Sequence, residues 1–432
     1  MRTSIRAAAI VAVAALALTT AACSSGGGTS SGPVNLTYWT WAPNMDKVAA
    51  IWNKSHPNIH VTVNKQDGGD PAVTKLLTAI KAGSGAPDVM QAEYQKIPTL
   101  VAANALADIS GDGAGDAKKD FTPSAWNAVT LGGSAIYAIP QDIGPMMFYY
   151  RSDIFQQLGL TAPKTWDDYA TDARIIHQKD PTQYLGTFSS GDAGWFAGLT
   201  QQAGASWWSI SGKAWGVNVD SAASQKVAKF WGGLVQEGVI GNTPMFTPDW
   251  NSGLNTGKQV GWVSAVWAPG DLAGNAADTK GKWAAAPLPQ WDASSPADGN
   301  WGGSSTGVTT QSKHPKEAAE FAVWLNSDPT AVKALVSQAA VYPAALSATK
   351  IALGTPPDFF SNQADFYQVA AAAAKTVTPF TYGPNVNVAY SAYNDEFAKA
   401  AQSKDVSQFL TALSNIQTTT RADLVKSGFT VK

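Results

Sequence analysis

Charge, cysteine and histidine are all scarce in this 432-residue chain. Charged residues make up 14% of it, against ~25% in ordinary domains. The formal net charge is −2, and no run of like charge occurs, so neither nucleic acid nor an anionic membrane surface has an electrostatic claim on it. Cys23 is the single cysteine, which excludes a disulfide within the chain. The four histidines are His56, His60, His177 and His314, and no cysteine is available to complete a metal set with them. There is no phosphate loop ending in Gly-Lys. Internal repeats are absent. The apolar run Ala7 to Leu18 falls short of the ~20 residues a membrane span needs.

That run has a meaning of its own. Arg2 and Arg6 precede it, and Thr19-Thr20-Ala21-Ala22-Cys23 follow, then a Ser/Gly stretch to Gly32. A basic start, a short apolar core and small residues before a cut form a secretory signal over residues 1–22. Small residues ending on cysteine resemble a bacterial lipobox, with Thr20 where leucine is usual. The expectation is a lipidated Cys23 and a flexible tether over 23–33. The protein would then sit on the extracellular face of the cytoplasmic membrane. Plain secretion is the alternative.

Tryptophan is abundant: seventeen in all, eleven of them between Trp195 and Trp301. Such a region has an aromatic core, a surface for stacking on a ligand, or both. The length fits two or three domains at roughly 100–200 residues each.

Periodicity predicts strands at 36–39, 59–63 and 87–90. Between them lie a helix from Asn44 with Val48, Ile51 and Trp52 on one face, and a helix from Asp70 with Val73, Leu76, Leu77 and Ile80. This β-α-β-α-β order implies a mostly parallel sheet flanked by helices. Residues 135–150 read as strand despite Pro140 and Pro145. Thr165 and Asp168 have capping-box spacing. Further strands are expected at 260–265, 283–288 and 306–310. Helices are expected at 152–158, 195–203, 221–237, 314–325, 363–375, 386–402 and 407–424.

Several segments together resemble the bacterial extracellular solute-binding proteins of the carbohydrate type, relatives of the maltodextrin-binding protein. They are Leu36-Thr37-Tyr38-Trp39-Thr40-Trp41, Gly85-Ala86-Pro87-Asp88-Val89, Tyr137-Ala138-Ile139-Pro140-Gln141-Asp142, Met147 to Phe155, Asn300-Trp301-Gly302-Gly303-Ser304 and Ser312 to Ala319. Arg151 stands where the family usually has Asn or Asp, a departure associated with actinobacterial members. The resemblance implies a two-lobed periplasmic-binding-protein-like α/β fold, each lobe a mostly parallel sheet flanked by helices, with the ligand in the inter-lobe cleft. The first lobe would comprise 34–144 plus 304–365, and the second 145–303 plus 366–432. It implies a monomeric substrate-binding component of an ABC transporter that closes on a di- or oligosaccharide and delivers it to a permease. It implies no cofactor, no metal and no enzymatic activity. Cello-oligosaccharides or β-glucosides are favoured over maltodextrins.

Sugar recognition needs aromatic faces for pyranose rings and carboxylates, amides or indole N–H groups for hydroxyls. The candidate ligand-binding residues are Trp41, Asn44, Glu93, Tyr94, Asp142, Trp195, Trp267, Trp301, Gly302 and Tyr390. Among these, Trp267, Tyr390 and Trp195 fall at or beside stacking positions of the family. Asp142 has an alternative partner in Arg151. Trp39, Trp52, Trp166, Trp231 and Trp324 read as core. Two other functions remain open. One is a secreted glycosidase using Glu93 with Asp142, since such enzymes also employ tryptophan and two carboxylates. The other is a structural cell-wall lipoprotein.

Overall fold

The computed structural model describes residues 32–432 apart from 67, 69, 340 and 352–354. Cys23, the signal and most of the tether lie outside the described residues. Ten strands are described: β1 (Val34–Thr40), β2 (Ile59–Lys65), β3 (Val89–Glu93), β4 (Ile139–Arg151), β5 (Trp208–Ser211), β6 (Ala214–Val217), β7 (Gly261–Ala265), β8 (Trp283–Pro287), β9 (Asn300–Val308) and β10 (Thr430–Val431). Seven of them form one sheet in the order β2-β1-β3-β9-β4-β7, with β8 also paired to β4; the rest form a small sheet, β10-β6-β5.

β1 pairs in parallel with both β2 and β3, as the alternation of strands and helices predicts. Around β4 the pairing is antiparallel, with β9, β7 and β8 alike. The mostly parallel character expected of both lobes therefore holds at β1–β3 and not in the second lobe. There the thirteen-residue β4 is the central strand and its neighbours run against it.

β4 is where the fold divides. Its first half, Ile139–Pro145, pairs with β9; its second half, Met146–Arg151, pairs with β7 and β8. Register slips occur between Pro140 and Asp142 and between Ile143 and Pro145. Proline donates no ladder hydrogen bond, so these residues favour irregularities that bend the strand. Tyr342 and Ala344 lie against the same stretch: the Ile143 N–H donates to the Tyr342 carbonyl, and the Ala344 N–H to that of Gln141.

Two hydrophobic cores flank the bend. One gathers Leu36, Tyr38, Trp52, Leu76, Ile97 and Phe321. The other holds Phe148, Trp166, Trp195, Trp231, Trp262 and Phe409. Phe359 and Phe360 belong to the second core, so a lobe boundary at 365 falls too late. Eight of the eleven tryptophans between 195 and 301 are buried, which identifies most of this aromatic content as packing. Trp166, for example, meets Trp231 edge to face at 5.8 Å.

The predicted helices form at Met45–Ser55, Trp166–Lys179, Ala222–Glu237 and Val386–Ser403, among others. Thr165 and Asp168 close the expected capping box, two reciprocal bonds at one helix start.

Candidate functional site

The site is built where β4 and β9 run past one another. Their backbones approach too closely for side chains: a Cβ on Gly144 would lie 2.1 Å from the Trp301 carbonyl oxygen. Gly302 and Gly303 have φ of 85° and 92°, a left-handed region that glycine occupies without strain. The Gly144 N–H donates to Asn300 Oδ1 at 2.9 Å, and Asn300 Nδ2 donates to the Gly302 carbonyl at 2.8 Å. The Tyr94 hydroxyl donates to the Asp142 carbonyl at 2.9 Å. The Asp142 carboxylate accepts from the Ser304 N–H, and burial pushes its pKa up to about 6.

On one side of this crossing is a cavity of about 640 Å³ that brings together Trp41, Asp142 and Trp267. Trp267 opens the helix Ala268–Asn275. Its indole N–H donates to the Trp301 carbonyl at 2.9 Å, and the two rings meet edge to face at 4.6 Å. Gly302 leaves room for that indole, because a Cβ there would lie 3.3 Å from its nitrogen. Phe246, 42% exposed, packs on both rings.

The other side holds a cavity of about 460 Å³, where Glu93, Trp301, Gly302 and Tyr390 meet. Asp192, Asn387 and Asn394 join them. Asp192 caps the helix Ala193–Gln202, accepting from the Trp195 N–H at 2.9 Å. Burial raises its pKa to about 6, against the opposing effect of its backbone bonds and the Trp301 side chain. Burial also raises the Tyr390 hydroxyl well above its ordinary value, followed by Tyr382 and the charges of Asp192 and Glu93. Two carboxylates, a phenol, an indole and amide side chains thus converge on one space. That set can accept from and donate to several hydroxyls while offering ring faces.

Three expected residues stand elsewhere. Trp195 is 1% exposed; its indole donates to the Val263 carbonyl at 3.1 Å and its ring packs edge to face on Trp231 at 5.0 Å. It is a core residue. Asn44 is exposed, takes φ 55° before the helix Met45–Ser55, and donates to the Gln338 carbonyl at 2.9 Å; it lines neither cavity. Tyr94 is buried beneath Gly303 and supports the crossing rather than facing either of these spaces. Arg151 pairs with Asp153 at 2.6 Å, not with Asp142. Glu93 and Asp142 line different cavities, whereas Glu93 and Asp192 share one.

Sequence reasoning passed over Asp192, Asn387 and Asn394. The last two share a helix with Tyr390 at i, i+3 and i+7, so a polar stripe containing one aromatic was the available signal. Nothing local marks Asp192 as more than a helix cap. No cluster of three or more metal-ligating side chains forms among the described residues.

The sequence model of the bacterial extracellular solute-binding proteins matches residues 38–332. The arabinooligosaccharide-binding protein of Halalkalibacterium halodurans is 24% identical over 301 residues, 67% of this chain and 66% of that protein. Its counterpart from Bacillus subtilis is 23% identical over 303 residues, covering 67% and 69%. The chain thus spans about two thirds of the length of these relatives. Among solved structures, the galacto-N-biose-/lacto-N-biose I-binding protein of the Bifidobacterium longum ABC transporter, in complex with lacto-N-biose, superposes with a TM-score of 0.82. It is 30% identical and covers 94% of this chain and all of its own. An ABC transporter associated binding protein from B. animalis subsp. lactis, in complex with β-1,6-galactobiose, gives a TM-score of 0.76 at 28% identity, covering 93% and 100%.

Proposed function

Because the chain belongs to the bacterial extracellular solute-binding proteins, we propose that it captures a di- or oligosaccharide outside the cell and delivers it to an ABC permease. The observation that carries this reading is the polar cavity beside the β4–β9 crossing, where Glu93, Asp192, Asn387 and Asn394 surround Trp301 and Tyr390. Hydroxyls find acceptors and amide donors there, and a pyranose face finds an aromatic ring. Trp267 and Asp142 stand across the crossing and complete the cleft. The lobes in this reading are 34–144 with 304–351, and 145–303 with the remaining C-terminal chain. They hinge at β4 and β9, and closure around the sugar presents the form the permease reads.

The relatives are named for arabinooligosaccharides, lacto-N-biose and β-1,6-galactobiose, while the sequence resemblance favours cello-oligosaccharides or β-glucosides. A thermal-shift screen of the purified protein against all of these, with maltodextrins, decides among them. A ligand at a hundred times its dissociation constant adds roughly 2.7 kcal/mol, a visible shift. A flat response to every sugar would overturn the reading. The bound sugar is expected back intact after a day's incubation. Products on chromatography would instead indicate hydrolysis, with Glu93 and Asp192 the carboxylates to replace first.

A further inference from the structure

Phe246 differs from every other aromatic residue of the fold. Its backbone has φ 65°, a left-handed conformation that is an outlier for a bulky residue. Its side chain is exposed, whereas every other aromatic side chain among the described residues is buried or half-buried. The turn that carries it is tied on both sides. The Met245 N–H donates to the Ser189 hydroxyl at 3.2 Å, and the Trp262 indole donates to the Met245 sulfur at 3.0 Å. The Thr247 hydroxyl donates to the Pro244 carbonyl at 2.9 Å and caps the helix Pro248–Thr256, accepting from the Trp250 N–H at 3.4 Å. Residues fixed before and after Phe246 thus hold its unfavourable conformation and aim its ring. Backbone strain maintained in this way clusters where a protein grips a ligand or changes shape.

Packing accounts for only part of this setting. The Phe246 ring lies 5.7 Å from that of Trp250 and 6.0 Å from that of Trp262, both nearly inaccessible to solvent. Glycine or asparagine would take the same backbone conformation at lower cost. The ring also lies 6.3 Å from Trp267 and 6.0 Å from Trp301, tilted by 40° and 48°. Trp267 lines the larger cavity and Trp301 the smaller, while Phe246 lines neither. Pro244, in the same turn, is 3.7 Å from where a Cβ on Gly191 would stand, and Gly191 lines the smaller cavity. The exposed phenyl therefore stands at the rim, beside the two tryptophans that link the cavities.

We propose that Phe246 is a further stacking face at the mouth of the cleft, used by a sugar unit that extends out of the two cavities. This rests on the sugar-binding reading above and deepens it: the ligand is an oligosaccharide longer than the cavities alone hold, and Phe246 sets the preference for length. A phenyl ring suits the place, because the C–H face of a pyranose packs on an aromatic face without a fixed hydroxyl partner. At the rim the outer hydroxyls of that unit stay hydrated, so no polar wall is needed to receive them.

Titration calorimetry across chain length tests this. The probes are cello-, malto-, arabino- and β-1,6-galacto-oligosaccharides of about two to five units. In whichever series binds, one added unit should tighten binding to the wild type at least fivefold. Phe246→Leu keeps the apolar contacts and loses the flat face, and should reduce that step below twofold. Phe246→Tyr keeps the face and should retain the step. A wild type without such a step overturns the proposal while leaving sugar binding intact. So does loss of the step in Phe246→Tyr. A step that survives in Phe246→Leu, with affinity lowered equally at every length, overturns it as well, since Phe246 would then only brace Trp267 and Trp301. Binding of no probe to the wild type overturns the sugar reading and this inference with it.

Discussion

Trp267 is anchored by its bond to the Trp301 carbonyl and by the Trp301 ring, and it lines the larger cavity. Aromatic contacts of this kind contribute ~0.5–1.5 kcal/mol beyond area burial. Trp267→Ala is expected to weaken sugar binding at least about tenfold, roughly 1.4 kcal/mol, with the fold retained. Trp231→Ala and Trp195→Ala are the contrast. Both side chains are 1% exposed in the second core. Each replacement should cost roughly 3–5 kcal/mol of stability and leave the affinity of the folded fraction unchanged, as denaturant melts with titration calorimetry would read. Asp192 makes a pH prediction. Its folded pKa, about 6, lies above the ordinary 3.8, so the folded state holds the proton to higher pH than the unfolded chain does. Stability from this group is present below about pH 4 and is lost as pH rises through 6. Asn is as good a helix cap as Asp. Asp192→Asn should therefore melt about 1–3 °C higher than wild type at pH 7.5 and with it at pH 4. An equal difference at both values would show that the carboxylate carries no burial penalty.

At the scale of the element, the β4–β9 crossing decides the geometry of both cavities. Gly144→Ala would drive a methyl against the Trp301 carbonyl, 2.1 Å away, which only a backbone shift relieves. A loss of about 1–3 kcal/mol is expected, together with weaker ligand binding, because Trp301 moves with its own backbone. Gly233→Ala is the informative control. It sits in the helix Ala222–Glu237 with nothing near its absent Cβ, and should stabilise by roughly 0.5–1 kcal/mol. Were Gly144→Ala neutral in urea melts, the close approach would not constrain the hinge.

For the whole molecule, two cores joined through β4 and β9 have few covalent paths between them, and the cavities lie at those paths. Ligand binding should draw the lobes together, read as a smaller radius of gyration by small-angle scattering. An unchanged profile at saturation would argue against closure as the signal. A lipid anchor at Cys23, which lies outside the described residues, is an expectation of the sequence alone. Cys23→Ser should release the protein to the medium or leave it unprocessed, and undiminished membrane association would sink the lipid anchor. One acyl chain holds only marginally, so a diacylated cysteine is what stable anchoring requires.

Amphipathic periodicity was sufficient to read the helices with a clear apolar stripe, such as Met45–Ser55 and Ala222–Glu237, and the capping box at Thr165. The order of motifs from Leu36 to Ala319 carried the two-lobed fold, because each strand and its loop has a local signature. Trp195 was not legible. Its helix is buried at every residue from Trp195 to Gln202, so no stripe tells which side faces the cleft. The pairing of β10 with β6 spans residues distant in the chain, and no local pattern encodes it. The same holds for Asp192 and for the division of Glu93 and Asp142 between two cavities. A side chain's chemistry is written in its residue type. Which space that chemistry faces depends on how β4 bends and on which glycines let β9 approach it, and only the folded chain determines both.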